Sequence, residues 1–280
     1  MTPIRLDGRV ALVTGAGRGL GAAHARALAV RGAQVVVHDA GVAADGSGGS
    51  RDLADGVVAE IQAAGGTAAA CYENLEATEA CRRAVELAVE RFGRLDILVQ
   101  NAGLLVWEEL EEAGRSWDRA RRVNVDAPFQ LARAAFPLMR RQQFGRFVFT
   151  TSGRAMSVED VRPGLAGYVV GKMAHFALML AVASEGREHG ILANAISPAA
   201  ATRMLTREVR PGELDPEQVS PAVVFLGSDR CTFSGQVLKC AGGRFSVARW
   251  TASDQVDFGR EPVQPEALAE WWFEIEGAGP

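Results

Sequence analysis

Residues 10–21 have the sequence VALVTGAGRGLG, in which an apolar segment of strand length runs directly into a glycine-rich loop. The next segment, residues 21–31, is rich in small apolar residues and is predicted to be a helix. A strand, a glycine loop and a helix in this order allow a tight turn and place backbone N–H groups where they can bind a pyrophosphate. A glycine-rich turn can also occur only because the chain must turn sharply there, so a nucleotide site needs support from the rest of the sequence.

The same alternation continues along the chain. Apolar segments of strand length occur at residues 9–13, 35–38, 67–71, 95–99, 146–150, 192–196 and 235–239, with helical patterns between them. Strands that are apolar on both faces and separated by helices indicate a parallel sheet that is covered on both sides. We therefore predict an α/β protein with a single-domain Rossmann fold, in which helices cover both faces of a doubly wound parallel sheet of about seven strands.

The composition limits the partners that this fold can have. A net charge of −4 argues against nucleic acid or an anionic membrane as the main partner. The longest later apolar run, residues 176–183, is far shorter than a membrane span. The four cysteines and four histidines have no metal-ligand spacing, so we expect reduced, packed thiols and no metal. A cytoplasmic, soluble protein is predicted.

An acidic residue follows the second predicted strand. Asp39 lies eighteen residues after Gly21, where a carboxylate can bind both ribose hydroxyls of NAD and repel the 2′-phosphate of NADP. Arg18, inside the glycine loop, could pair with such a phosphate or contact the pyrophosphate. Asp39 could also be a loop cap. We expect NAD, because an unpaired carboxylate at the ribose disfavours NADP more than one mobile arginine favours it.

Residues 168–172 read YVVGK, so a phenol and an ammonium lie one helical turn apart. The chain has only two tyrosines and two lysines, so this spacing would arise by chance about once in seventy such sequences. A sequence that otherwise uses arginine keeps Lys172 here, and a compact ammonium suits contact with a ribose hydroxyl and a neighbouring phenol. Tyr168 and Lys172 are therefore candidate catalytic residues, although a surface pair on an apolar helix is the alternative.

These motifs resemble the short-chain dehydrogenase/reductase family over roughly residues 5–250. The resemblance includes Asn101-Ala102-Gly103 after the fourth strand, Asn124 on the next helix, Ser152 after the fifth strand and Pro198 after the sixth. It implies that Tyr168 is the general acid/base, and that Lys172 stabilises the phenolate. It further implies that Ser152 hydrogen-bonds the reacting oxygen, and that Asn124 holds a water that links Lys172 to solvent.

Three positions depart from the family pattern without removing a chemical role. Gln100 stands where an asparagine commonly precedes the Asn-Ala-Gly turn, Asn74 replaces an adenine-contacting aspartate, and Ala199 replaces a glycine after Pro198. A fourth departure is the spacing of the serine. Ser152 lies sixteen residues before the tyrosine, wider than usual, so Ser157 is a rival. We favour Ser152 because it follows a strand directly.

The layout is most similar to the (3R)-hydroxyacyl-CoA dehydrogenase domains of multifunctional enzymes and their bacterial relatives. We therefore predict an NAD-dependent oxidoreductase that interconverts a secondary alcohol and a ketone, with a 3-hydroxyacyl-CoA or another bulky apolar alcohol as the substrate. The alternatives are a steroid, terpenoid or cyclic alcohol dehydrogenase, an NADP-dependent ketoreductase, and a non-catalytic NAD-sensing protein. By the same resemblance, a homo-oligomer, either a dimer or a tetramer, is expected.

Residues 1–252 are predicted to form one domain with both the cofactor and the substrate site, and residues 253–280 a C-terminal tail with a short aromatic helix, residues 267–275. The aromatic cluster 271–273 is expected to cover the substrate cleft or a neighbouring subunit. The predicted cofactor site comprises Gly15, Gly17, Arg18, Gly19, Leu20, Gly21, Asp39, Asn74, Leu75, Asn101, Ala102, Gly103, Tyr168, Lys172, Pro198 and Thr202. The predicted substrate pocket comprises Leu104, Trp107, Arg154, Val161 and Met204.

Overall fold

The structure is a computed structural model that describes residues 2–42, 48–202, 210 and 212–277. The chain divides into two compact units, Met1–Val247 and Ala248–Pro280. The larger unit contains the sheet and the helices that cover it.

An eight-stranded sheet with the order β3-β2-β1-β4-β5-β6-β7-β8 forms the centre of the larger unit. Its strands are β1 (Val10–Thr14), β2 (Gln34–His38), β3 (Thr67–Cys71), β4 (Ile97–Gln100), β5 (Gly145–Thr150), β6 (Ile191–Ala199), β7 (Val237–Ala241) and β8 (Arg244–Ala248). The helices of this unit are α1 (Gly19–Val30), α2 (Asp52–Ala63), α3 (Thr78–Phe92), α4 (Gly114–Arg121), α5 (Ala127–Gln142), α6 (Ala166–Gly186) and α7 (Ser220–Leu226). The α/β class and the doubly wound sheet are confirmed.

The strand order reverses between β1 and β4. All pairs from β3 across to β7 are parallel, and the chain runs outward from β1 to β3 before it returns to β4 on the other side of β1. In a doubly wound sheet, ligands bind outside the carboxyl ends of the strands at this switch point. The fold therefore brings the glycine loop after β1 next to the turn after β4.

The sheet has one strand more than the seven predicted. Gly242 and Gly243 connect β7 to β8, and both have positive φ angles, +52° and +73°, as a two-residue hairpin turn requires. No buried apolar segment in the sequence marks β8. Four of the five residues of β8 are exposed.

The helical region between β4 and β5 consists of α4 and α5 joined by a π-helical segment, Arg122–Asp126, that contains Asn124. Helix α6 crosses this segment very closely, because an ideal Cβ on Gly171 would lie 2.4 Å from the Cβ of Asn124. Single π turns within helices are frequent at functional sites. Here the close crossing brings Asn124 next to the helix that carries Lys172.

Among the described residues, one helix is long and apolar enough to cross a membrane by length and composition, namely Ala166–His189, which comprises α6 and a short 3₁₀ turn. Core helices of soluble proteins meet the same criterion. This helix packs against β5 and β6 of the Rossmann sheet. Only 28% of its most apolar window is buried, and the exposed side includes Val170 and Leu180.

The smaller unit has two short helices, α8 (Pro265–Glu270) and α9 (Trp272–Glu276), in place of the one predicted tail helix. The ring of Trp271 packs edge-on against Phe258, with 6.1 Å between the ring centroids. All three aromatic residues of the 271–273 cluster are about half exposed.

Candidate active site

One cavity of about 810 Å³ lies at the carboxyl ends of the central strands. The glycine loop after β1 and Asp39 after β2 line one end of it, which we call the nucleotide end. Ser152, Tyr168 and Lys172 line the other end, which we call the catalytic end. The two motifs that stood out in the sequence therefore share a single cavity.

Hydrogen bonds join the loop after β1 to the turn after β4. Asn101 Nδ2 donates to the backbone carbonyls of Thr14, at 2.9 Å, and Gly15, at 3.1 Å. In return, Thr14 Oγ1 accepts from the backbone N–H groups of Asn101 and Ala102, each at 3.0 Å. A Cβ on Gly21 would lie 2.2 Å from the Gly15 carbonyl oxygen, so the last of the four glycines allows this close contact.

Asp39 is buried, with 8% of its surface exposed, and two backbone groups hold its carboxylate. Gly17 N–H donates to Oδ2 at 2.9 Å, and Gly41 N–H donates to Oδ1 at 2.8 Å. Each oxygen keeps a further lone pair for another donor. Asp39 is thus a loop cap and also places a negative charge at the nucleotide end.

Arg18 lines the same end of the cavity but does not pair with Asp39. Its Nη2 donates to the backbone carbonyl of Val42 at 2.7 Å, so the guanidinium lies against the loop that follows Asp39. A cation and an anion are therefore both present where a ribose or its phosphate would bind.

His38 also lines this end, although it is not among the site residues predicted from the sequence. Its Nε2 lies 2.7 Å from the Glu73 carbonyl oxygen, and Gly15 N–H points at Nδ1 at 3.4 Å. A carbonyl only accepts and an N–H only donates, so the neutral ring carries its proton on Nε2. Burial lowers the pKa of His38, in agreement with a neutral ring. Its position directly before Asp39 is the only signal in the sequence.

Lys172 is buried, with 4% of its surface exposed, at the catalytic end. Its Nζ donates to the Thr150 carbonyl oxygen at 2.9 Å, and Thr151 Oγ1 donates to the Lys172 carbonyl oxygen at 2.7 Å. Two of the three ammonium protons remain for other acceptors. Burial lowers the pKa of Lys172 to about 8.

Tyr168 lies beside Lys172, whose Nζ is 5.7 Å from the centre of the phenol ring. Burial raises the pKa of Tyr168, whereas the Ser152 hydroxyl and the charge of Arg154 act to lower it. Burial is the largest of these effects, so a phenolate at this position needs further positive charge nearby.

The two candidate serines differ in their surroundings. Ser152 is buried and lines the cavity, and its hydroxyl acts to lower the pKa of the Tyr168 phenol. Ser157 does not line the cavity, and its hydroxyl donates to Asp160 Oδ2 at 3.3 Å. The geometry favours Ser152.

Asn124 is fully buried and does not line the cavity. Its side-chain Oδ1 accepts from Leu104 N–H at 2.8 Å, and its Nδ2 donates to the Leu104 carbonyl oxygen at 2.9 Å. The side chain therefore holds the loop after Gly103 in place. Because both of its polar atoms are engaged there, only the backbone of the π segment remains to bind a water.

Most of the predicted site residues line the cavity, namely Gly15, Arg18, Gly19, Leu20, Gly21, Asp39, Asn74, Leu75, Asn101, Ala102, Gly103, Leu104, Ser152, Arg154, Tyr168, Lys172, Pro198 and Thr202. Gly17 and Asn124 do not line it. Gly17 N–H donates to the Asp39 carboxylate, and the Asn124 side chain bonds to the backbone of Leu104. Trp107 and Val161 do not line it, because the ring of Trp107 packs beside Gly164 and Val161 is in an exposed loop. Met204 lies outside the described residues.

A second cavity of about 340 Å³ also borders Tyr168. Its lining is mainly apolar and includes Val106, Trp117, Ala166 and Val170. Apolar surface therefore lies within reach of the candidate catalytic phenol.

A doubly wound sheet with a glycine loop, an acidic residue after β2 and a Tyr-Lys pair in one cavity defines a dinucleotide-binding oxidoreductase. The chain belongs to the short chain dehydrogenase family, whose model matches residues 9–213. Membership of this family confirms the predicted dehydrogenase/reductase class.

Peroxisomal multifunctional enzyme type 2 of Mus musculus is 38% identical over 98% of this chain and 37% of its own length. The chain thus spans about a third of the length of such relatives. A short chain dehydrogenase from Mycobacterium avium is 37% identical, with a TM-score of 0.84 over 97% of this chain and 96% of its own. A metagenomic short-chain oxidoreductase in complex with NADP is 30% identical, with a TM-score of 0.69 over 82% of this chain and 96% of its own.

Proposed function

We propose that the protein is an NAD-dependent dehydrogenase that oxidises a secondary alcohol on a bulky apolar substrate, with a 3-hydroxyacyl-CoA as the first choice. The observation that carries this proposal is the single cavity with Asp39 at one end and Ser152, Tyr168 and Lys172 at the other. The residues fit a dinucleotide, since a buried ammonium with two unused protons and a buried carboxylate with unused lone pairs can each hold one ribose. The bound nicotinamide supplies a hydride acceptor.

The proton steps fall to the chain's own residues. The Tyr168 phenolate takes the proton of the substrate hydroxyl, and the Ser152 hydroxyl donates a hydrogen bond to the same oxygen. Because burial raises the pKa of Tyr168, the phenolate needs nearby positive charge, which the Lys172 ammonium provides. The proton that Tyr168 has taken is relayed to Lys172, which in turn gives up one of its own protons to a water on the Asn124 backbone and so to solvent.

NAD is the proposed cofactor because the Asp39 carboxylate is fixed in place and would repel a 2′-phosphate. A related oxidoreductase binds NADP, so the comparison of kcat/KM with NAD and with NADP is a necessary test. Asp39→Ala and Asp39→Asn both remove the charge, and Asn keeps one acceptor for the loop. Both should raise the NADP-to-NAD ratio of kcat/KM at least tenfold. An unchanged ratio in both variants would leave Asp39 as a loop cap only.

The proposed substrate class has two supports. The mouse relative named above is a peroxisomal multifunctional enzyme, and the cavities beside Tyr168 offer apolar walls, among them Leu104 and Val106. The test is the rise of absorbance at 340 nm with NAD and a panel of 3-hydroxyacyl-CoAs, steroids and simple secondary alcohols. Selective turnover of steroids or cyclic alcohols would replace the acyl-CoA. Tight NAD binding without any turnover would instead indicate an NAD sensor.

We further propose a homodimer or homotetramer, because α5 and α6 expose apolar side chains such as Phe129, Val170 and Leu180. A monomer in light scattering would contradict this.

Residues 253–280 are proposed to act as a tail that covers the cleft or a neighbouring subunit. Deletion from Gln255 would test this, with kinetics and oligomer size as the readouts. A cytoplasmic location also stays a prediction, to be checked by cell fractionation, because several relatives carry peroxisomal names.

A further inference from the structure

Two fully buried polar side chains near the catalytic end have no role in the mechanism above. Gln100, the last residue of β4, is 1% exposed, and His175 on α6 is not exposed at all. Within the described part of the chain, neither the amide O and N of Gln100 nor the two ring nitrogens of His175 have a hydrogen-bond partner. An unpaired buried polar atom is costly, and four of them in two side chains require an explanation.

The two side chains lie on the same side of the sheet. Gln100 of β4 is paired with Phe149 of β5, and side chains of paired residues in neighbouring parallel strands point to the same face. The ring of Phe149 in turn meets the ring of His175 edge-on, with 6.1 Å between the ring centroids and 86° between the planes. Both unpaired groups therefore adjoin Phe149, on the face that α6 covers.

His175 is also close to the proposed proton path. It follows Lys172 by three residues and so lies on the same face of α6. The backbone of Asn124 acts to raise the pKa of His175, as a nearby carbonyl acceptor does. Neither ring nitrogen makes a hydrogen bond to it. Burial is the larger effect, and with the charge of Lys172 it keeps the pKa of His175 well below its usual range. A neutral ring offers one donor and one acceptor.

Groups with this chemistry are suited to an internal water, which needs two to four polar partners in a buried site. We propose that Gln100, His175 and the backbone carbonyl of Asn124 form a binding site for one internal water. His175 is then a positioning residue that holds the Asn124 carbonyl and, through it, the hydrogen-bond chain to Lys172. The water site is inferred from burial and packing alone, and only its effect on catalysis rests on the proposed function.

The first test is a high-resolution crystal structure of the wild-type protein together with an unfolding cycle. We expect density for a water within hydrogen-bond distance of a His175 ring nitrogen and the Gln100 amide. Gln100→Leu and His175→Leu should each lower the folding equilibrium constant by about tenfold. The double variant should lose far less than the hundredfold product, because both unpaired side chains are then gone and only the Asn124 carbonyl has lost its partner. A dry site, a direct Gln100–His175 bond or multiplying losses would overturn the proposal.

The second test is kinetic and uses the substrate found by the panel. His175→Leu should lower kcat severalfold and change the solvent deuterium isotope effect on kcat with little change in KM, and His175→Gln should restore both. Met179→Ala is the control, because Met179 is a fully buried apolar residue one turn further along α6. It should lose stability and keep the isotope effect. If Met179→Ala matches His175→Leu, His175 acts only in packing. If the wild type turns over no alcohol, the proposed function fails, while the density and the unfolding cycle still decide the water site.

Discussion

The two ends of the cavity are built in different ways. At the nucleotide end, glycines and backbone N–H groups make most of the contacts, and their residues are close in sequence or directly follow strands, as Gly15, Gly17 and Asp39 do. At the catalytic end, buried side chains make the contacts, and Asn124, Ser152 and Lys172 come from three separate segments. The contacts at the nucleotide end therefore require glycines, which have no side chain. The contacts at the catalytic end require α6 to pack closely on its neighbours.

Tyr168→Phe should give the largest difference between the ends. Loss of the proton acceptor should lower kcat about a thousandfold, whereas the affinity for NAD should stay within a few-fold, because the nucleotide end is unchanged. Steady-state kinetics and NAD titration measure the two effects. Tyr72→Phe is the matched control, since the only other tyrosine is partly exposed and its hydroxyl bonds to Asp55 on the surface. Equal losses in both variants would remove Tyr168 from the mechanism.

Ser152→Ala should have the next largest effect at the catalytic end. A lost hydrogen bond to the developing charge on the substrate oxygen should lower kcat by about a hundredfold. Ser157→Ala should stay within twofold, because Ser157 does not line the cavity and its hydroxyl donates to Asp160. The reverse order of losses would make Ser157 the catalytic serine.

Gly171→Ala should show how strongly the catalytic end depends on packing. The new Cβ would overlap the Cβ of Asn124, and overpacking of this kind costs about 1–3 kcal/mol of unfolding free energy. Gly56→Ala in α2 is the control, because nothing lies within 4 Å of its added Cβ, and it should gain up to about 1 kcal/mol. Denaturant unfolding measures both. Equal stabilities would mean that α6 moves freely away from the π segment.

Lys172→Met should change the pH dependence of stability by a smaller amount. Burial lowers the pKa of Lys172 from 10.5 in the unfolded chain to about 8 in the folded protein. The unfolded state therefore holds more protons between these values, and wild-type stability should rise as the pH goes from 8 to 10.5. Lys172→Met removes the buried charge, so it should be more stable than wild type at pH 7, by about 1–3 kcal/mol, and lose this advantage by pH 10.5.

Thermal unfolding across this pH range measures the effect. Lys239→Met, at the other and exposed lysine, should show no gain at pH 7. An advantage of Lys172→Met that stayed constant with pH would show that packing, and not the buried charge, causes it.

The position of the glycine loop and of Asp39 at the strand ends could be predicted from the sequence, because glycines and strand ends have fixed places in a βαβ unit. Tyr168 and Lys172 could be found because both residue types are rare in this chain. The sequence did not indicate that Asn124 lies in a π segment, since that depends on the close approach of Gly171. Nor did it reveal β8, whose residues are largely exposed and which a glycine turn holds beside β7.

The central claim is that one dinucleotide bridges both ends of the cavity. A crystal structure with NAD bound tests it most directly. We expect the hydroxyls of the adenosine ribose within hydrogen-bond distance of the Asp39 carboxylate and those of the nicotinamide ribose within reach of Lys172 Nζ. An adenosine ribose that avoids Asp39, or a nicotinamide ribose far from Lys172, would contradict the account.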